Sequence, residues 1–198
     1  MPDKLILLLE KMQNSFSTFQ QVTNLSCPPG CGACCLSPDV EASPNELIPM
    51  ALHIIKSGRM EEYLVKIENT EKLCLFYEPH SADGKKGKCT QYEHRPSLCR
   101  YFGVSGIMDK DKAFRYSICS ELKKEYPELI LELENKRPIP PLINDWMGEL
   151  MSLDSELIMR QMPINEAFKE AFCKILLYQN LAFEVGTNPT TDQSQNVS

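Results

Sequence analysis

The chain has 198 residues, 42% of them hydrophobic and 24% charged, with a net charge of -6 and a pI near 5.2. That length suits one domain, or one domain with a small appendage. The acidic balance excludes a general nucleic-acid binder, which needs clustered basic surface. No stretch approaches the roughly 20 apolar residues of a membrane-spanning helix.

Residues 3–22 carry Leu5, Leu8, Leu9, Met12, Phe16, Phe19 and Val22 near 3- and 4-residue spacing, which predicts an amphipathic helix. Its apolar run, Leu5 to Leu9, is too short for a signal-peptide core. The reading is therefore a cytoplasmic protein, and a reducing compartment disfavours structural disulfides. Next comes Cys27-Pro28-Pro29-Gly30-Cys31-Gly32-Ala33-Cys34-Cys35, four thiols separated by residues that break helices and strands. It predicts a tight knuckle built around a metal, an iron–sulfur cluster or disulfides. Ser43-Pro44-Asn45-Glu46 is a helix start with Ser43 as N-cap, Pro at the first position and Glu three residues on. That helix should run over 44–57 and stop at Gly58. A second, 59–70, would carry Met60, Tyr63, Leu64 and Ile67 on one side.

From Leu73 the pattern favours a small hairpin, with Cys74–Tyr77 and Lys88–Tyr92 as strands around a polar turn. His80 in that turn reads as exposed, and His53 as a core or surface residue. His94 is the best candidate of the three His for an extra metal ligand. Arg95 to Phe102 predicts a short helix or turn, and Phe114–Ile118 a short strand. Ser120 would cap a helix over 121–135 that Pro127 bends or splits. Arg137-Pro138-Ile139-Pro140-Pro141 reads as a stiff linker before helices over 143–160 and 164–184. The second of these would turn Phe168, Phe172, Ile175, Leu176, Leu177 and Leu181 inward, with Cys173 a small buried hydrophobe. Residues 187–198 have the composition of a disordered tail.

Eight of the nine Cys lie in one segment: Cys27, Cys31, Cys34, Cys35, Cys74, Cys89, Cys99 and Cys119. A Zn²⁺ ion or a cubane cluster takes four Cys ligands, so these residues supply one site with thiols to spare, or two. Cys31-Gly32-Ala33-Cys34 has the C-x-x-C spacing that lets two thiolates reach one centre. Cys34 and Cys35 are adjacent, and neighbouring side chains point apart, so they should divide between metals or tasks. Arg95 and Arg100 bracket Cys99, and Lys88 precedes Cys89. Such cations would either balance the negative charge of a thiolate centre or sit solvated on the surface. The odd Cys count fits a complete disulfide set poorly. A metal-free thiol–disulfide switch remains the third reading, beside an iron–sulfur cluster and a zinc site.

These residues resemble the YkgJ-type cysteine-cluster family, whose members are described as zinc- or iron-chelating and often labelled iron–sulfur oxidoreductases. The first matching block is Cys31-Gly32-Ala33-Cys34-Cys35 with Cys27 upstream. The second is Cys74-Leu75-Phe76 followed by Cys89-Thr90-Gln91-Tyr92-Glu93-His94-Arg95-Pro96-Ser97-Leu98-Cys99-Arg100-Tyr101, like the family's C-x-x-Y-x-x-R-P-x-x-C-R signature. Cys119 matches its trailing Cys. Three residues separate Cys27 from Cys31, where the family's pattern has two. The resemblance implies all eight Cys as metal ligands, with Arg95 and Arg100 beside the cofactor. That cofactor would be an iron–sulfur cluster, 4Fe-4S favoured, or Zn²⁺. An unknown redox or protein partner is implied, with neither nucleic acid nor membrane.

The expected architecture is mainly α: an irregular Cys-rich, metal-stapled core with at most a small β-hairpin, wrapped by amphipathic helices. A cysteine-cluster domain with the N-terminal helix would span 1–136. A helical extension, 137–186, would pack on it, ahead of the tail at 187–198.

Overall fold

In chain order the computed structural model contains α1 (Pro2–Thr23), a 3-10 turn at Ala33–Leu36, β1 (Glu41–Ala42), α2 (Pro44–Lys56), α3 (Met60–Asn69), β2 (Tyr77–Pro79) and β3 (Gly87–Cys89). Then follow a 3-10 turn at Tyr92–His94, α4 (Ser97–Tyr101), β4 (Val104–Met108), β5 (Phe114–Ile118), α5 (Ser120–Glu125) and α6 (Pro127–Lys136). The chain continues with α7 (Ile143–Leu153), α8 (Glu156–Met159), β6 (Met162–Pro163) and α9 (Ile164–Gly186). The structure describes residues 2–28, 30–69, 73–84 and 86–186, without the side chains of 179–186. The expected tail at 187–198 and the inward placement of Leu181 lie outside the described residues.

The protein is mainly α, as its periodicity predicts, with small two-stranded antiparallel sheets. Among the described residues there are three, not one: β1 with β6, β2 with β3, and β4 with β5. The strand β4 carries little periodic signal, because Val104, Ser105 and Gly106 are buried in succession. Gly106 is left bare because Pro140 and Leu142 lie where its side chain would stand. Its N–H donates to Pro141 O at 3.0 Å, which ties the Pro-rich linker to the hairpin.

Helix boundaries follow their local chemistry. Gly58, at φ 72°, sits just beyond the end of α2. The split between α5 and α6 falls at Tyr126, which adopts φ -128° because the following Pro127 disfavours helical backbone there. Cys119, not Ser120, is the N-cap of α5. The helix expected over 143–160 stops at Leu153, since Asp154 is extended and its carboxylate accepts from Glu156 N at 3.0 Å to start α8.

Three apolar clusters hold these elements together. The largest joins α2 to α9 through Leu47, Met50, Ala51, Ile54, Phe168, Ala171 and Phe172, and takes in Tyr63 and Phe76. Phe76 and Phe168 meet edge to face at 4.8 Å, with Tyr63 within 5.9 Å of both. Each such ring contributes about 1.5–3 kcal/mol by burial. A second cluster packs α1 on α7 and α4 through Leu5, Leu9, Met12, Phe16, Trp146, Leu150 and Tyr101. The third gathers Phe19, Leu25, Val104, Leu122, Ile130 and Leu133 at the far end of α1. Val22 and Leu64, expected inward, are exposed. So is Cys173, which faces outward on α9 next to buried Phe172. No helix among the described residues is long and apolar enough to cross a membrane.

Candidate metal centre

The eight Cys of the central segment reach one region from six different pieces of backbone. Cys27 and Cys31 come from the loop after α1, and Cys34 and Cys35 from the first 3-10 turn. Cys74 precedes β2, Cys89 ends β3, Cys99 lies in α4, and Cys119 caps α5. Seven of them, all but Cys119, line a single cavity of about 50 Å³. Met50, Phe76, Phe102 and Ile164 supply apolar wall, which keeps the local dielectric low. Cys119 stands at its edge: its N–H donates to Gly103 O at 2.8 Å, and a Cβ built on Gly103 would lie 3.8 Å from Cys27 Sγ. Cys34 and Cys35 both reach this cavity, although adjacent side chains were expected to diverge. The 3-10 turn swings the chain by about a third of a revolution per residue, so the cavity wall curves around both.

Backbone bonds explain how so irregular a segment is ordered. Cys31 N donates to Pro28 O at 3.0 Å, Cys35 N to Gly32 O at 2.9 Å and Cys74 N to Cys35 O at 3.3 Å. The ring of Tyr77 fills the space that side chains at Gly32 and Gly87 would occupy, while its hydroxyl donates to Gly84 O at 2.8 Å. One aromatic ring thus clamps the knuckle to the hairpin. Asn165, on the first turn of α9, accepts from Leu75 N at 3.0 Å and donates to Leu73 O at 2.7 Å, holding Cys74 from both sides. Glu46 bonds back to the Ser43 backbone at its own helix start, as a capping box would, and also reaches outside α2. Its carboxylate accepts from Ser97 N at 2.5 Å as well and thereby caps α4, which carries Cys99. No sequence signal marks Tyr77 or Asn165 for these tasks, and the signal at Glu46 marks its bond to Ser43 but not the one to Ser97.

The thiols interact before any metal is considered. Cys35 is hydrogen-bonded with Cys34, Cys74 and Cys89; these bonds, led by that with Cys34, push its thiol well up, and burial adds to them. The same bond pulls Cys34 down to about 6, with Arg95 assisting and burial opposing. Cys89 is lowered by its bond to Cys35. Cys99 is pushed up by burial and then by the neighbouring thiols. Cys27 is raised by burial and by Cys31 and Cys34. Cys34 is therefore poised as a thiolate, the form that binds metal, and Cys89 is shifted in that direction, beside others that release a proton only when a cation replaces it.

Arg95 and Arg100 are buried, not solvated. Arg95 lines the thiol cavity, donates to Tyr92 O at 2.8 Å and Cys99 O at 3.2 Å, and stacks 3.5 Å over the Tyr92 ring. Arg100 reaches the other way, into a separate pocket, and donates to Arg95 O, Gln13 Oε1 and Glu93 O. Lys88 pairs with Glu78 across the exposed hairpin, away from the cavity. His94 does not line the thiol cavity either; it stacks on His53 with ring centroids 3.9 Å apart.

Among the described residues no three His, Cys, Asp or Glu side chains already stand at metal-ligand geometry. The sulfurs bond to one another instead. The donor set nonetheless fits a soft metal: seven thiols and the Met50 thioether line the cavity with no His or carboxylate among its described lining residues, Arg95 offsets the thiol charge, and the volume suits ions rather than an organic cofactor. Residues 26–122 match the model of the CxxCxxCC family, described as "Putative zinc- or iron-chelating domain". No curated protein matches the chain, and no solved structure matches it. The matched segment begins just before Cys27 and ends just after Cys119, enclosing every thiol of the constellation, so this part of the chain is similar to the zinc- or iron-chelating domains of the CxxCxxCC family.

Proposed function

We propose that this chain is a cytoplasmic protein that holds a thiolate-bound iron–sulfur cluster, 4Fe-4S favoured, for electron transfer or redox chemistry. The observation that carries the reading is the convergence of Cys27, Cys31, Cys34, Cys35, Cys74, Cys89 and Cys99 on one cavity beside the buried guanidinium of Arg95. Cys119 completes the set from the edge. When bound, such a cluster supplies a one-electron site. The chain's own part is to exclude water with Met50, Phe76 and Ile164, and to balance thiolate charge with Arg95. Cys27 is exposed and Cys31 half-buried, so one side of the centre lies near the surface, where a redox partner could approach. In this reading residues 1–136 carry the centre, and 137–186 brace it.

A structural zinc site is the second reading. The thiols of Cys34, Cys74 and Cys89, each bonded to that of Cys35, favour it, since four thiolates complete a tetrahedral Zn²⁺ shell. Anaerobic purification with metal and acid-labile sulfide analysis separates the two. The iron–sulfur reading expects a brown protein with bound iron and sulfide; a colourless protein with stoichiometric zinc would replace it with the zinc reading. Cys34→Ser and Cys99→Ser should lose most of the metal, whereas exposed Cys173→Ser should keep it. Equal metal content in the three variants would overturn the assignment of the site.

A further inference from the structure

On the other side of Arg100 from the thiols lies a larger pocket, of about 540 Å³, within the range of small-molecule sites. The helices α1 and α2 and the Tyr92–His94 turn form its walls. Arg100 is its buried charge, only 5% exposed, and no Asp or Glu among the described residues lies within ion-pair distance of it. Its three bonds go to neutral oxygens: Arg95 O at 2.9 Å, Gln13 Oε1 at 3.0 Å and Glu93 O at 2.8 Å. A guanidinium has five N–H donors, so one remains on each terminal nitrogen. Glu93 and buried Glu46 act on this cation only at longer range. A buried charge without a contacting anion is unfavourable, and two free N–H donors on adjacent nitrogens suit an oxyanion. Lys56, His53 and His94 line the same pocket. Burial, and then the positive charges of His53 stacked on it and of Arg100, hold His94 below the ordinary histidine range. At neutral pH it is therefore a neutral hydrogen-bonding group. The acidic residues on the pocket wall, Asp3, Glu10 and Glu93, are all exposed, so water and salt screen them while Arg100 is not screened.

We propose that this pocket binds a small molecule through an oxyanion, a carboxylate or a phosphate group, seated on Arg100 and flanked by Lys56, His53 and His94. The site is separate from the thiol cavity but shares a wall with it. Gln13 Oε1 accepts from Arg100 on the pocket side and from Arg95 Nη2 at 3.4 Å, and Arg95 faces the thiols. The inference does not depend on which metal the thiols hold.

The test titrates the purified full chain with inorganic phosphate and, separately, with sodium acetate, at ionic strength fixed with sodium chloride. Affinity is read by calorimetry and position by histidine-selective NMR. The chain has three His, and His80, exposed near the turn of the β2–β3 hairpin, serves as the internal reference. The proposal expects saturable one-site binding that shifts His53 and His94 but not His80. Response to phosphate alone assigns a phosphate-bearing ligand, and to acetate alone a carboxylate. Arg100→Gln should abolish binding. Because that buried change can unfold the protein, the exposed Lys56→Glu is the second variant, and it should weaken binding about tenfold or more. Metal content measured on the same samples keeps a failed pocket distinct from a failed metal centre. Parallel shifts at His80, no saturation by either anion, or an unchanged affinity in Lys56→Glu would overturn the proposal. So would Zn²⁺ binding to the two His in the absence of any anion response, which would make the pair a metal site.

Discussion

Glu46 shows how much one side chain can carry at the residue scale. It is buried at the start of α2, and outside that helix it bonds to Ser97 through both the backbone N–H and the side chain. Burial pushes its carboxyl above the ordinary range, while the bonds from Ser97 and from the Ser43 backbone, and then the charge of Arg100, oppose that shift. The sign of the consequence is fixed by proton linkage. Below about pH 4.3, folded and unfolded chains both hold the proton. As pH rises past that value, the unfolded chain releases it while the folded chain retains it, so this group's contribution to stability falls. Glu46→Gln lacks the titration, so its stability relative to the wild type should improve as pH climbs from about 4 toward about 7. Urea midpoints of both proteins across that range check this. A difference that stays flat with pH would mean that Glu46 ionises at its ordinary value in the folded protein.

At the scale of elements, the knuckle and the β2–β3 hairpin are joined through the Tyr77 ring as well as through the bond between Cys35 and Cys89. Ala at Gly32 or at Gly87 would drive a methyl into that ring, and at Gly87 also toward Glu78 O. Gly32→Ala should destabilise the protein by about 1–3 kcal/mol, the usual cost of overpacking. In a Tyr77→Leu background the same substitution should cost much less, because the obstructing ring is gone. A double-mutant cycle in guanidinium measures this coupling. Additive costs would show that the clamp is not what holds Gly32. The same scale explains what sequence reading of the elements left out. The turn residues around Gly58 and Pro127 act within a few positions, so helix ends there were legible. The glycines at 32, 87 and 106 are explained only by residues that arrive from elsewhere: Tyr77, and the Pro140–Leu142 segment.

For the molecule as a whole, the apolar clusters and the thiol cavity divide the work of stabilisation. The pair α2 and α9 is welded by Leu47, Ile54, Phe168 and Phe172, all fully buried or nearly so. The backbone between Cys27 and Leu36, and between Cys74 and Phe102, contributes fewer such residues and is pinned by the thiols. Removing metal with a chelator should therefore raise amide hydrogen exchange in those two segments first, while α2 and α9 keep their protection. Exchange mass spectrometry with and without chelator reads this directly. Uniform loss of protection would mean that the metal supports the apolar core as well.

The sequence by itself determined the mainly helical class, because 3.6-residue periodicity is written locally in α1, α2 and α9. It also determined which cysteines form the constellation, because their side-chain chemistry and crowding into one segment do not depend on the fold. What it could not reach were contacts between residues far apart in the chain. Only the tertiary structure decided that Cys34 and Cys35 face one cavity, that Cys119 stands at its edge and that Cys173 faces outward. It also turned Arg95 and Arg100 back to back on Gln13, so that two arginines flanking one cysteine serve two different pockets. The physical reason is the same in each case. The direction of a side chain in an irregular segment is set by whatever packs against that segment, and here the packing partners come from α1, α2 and α9.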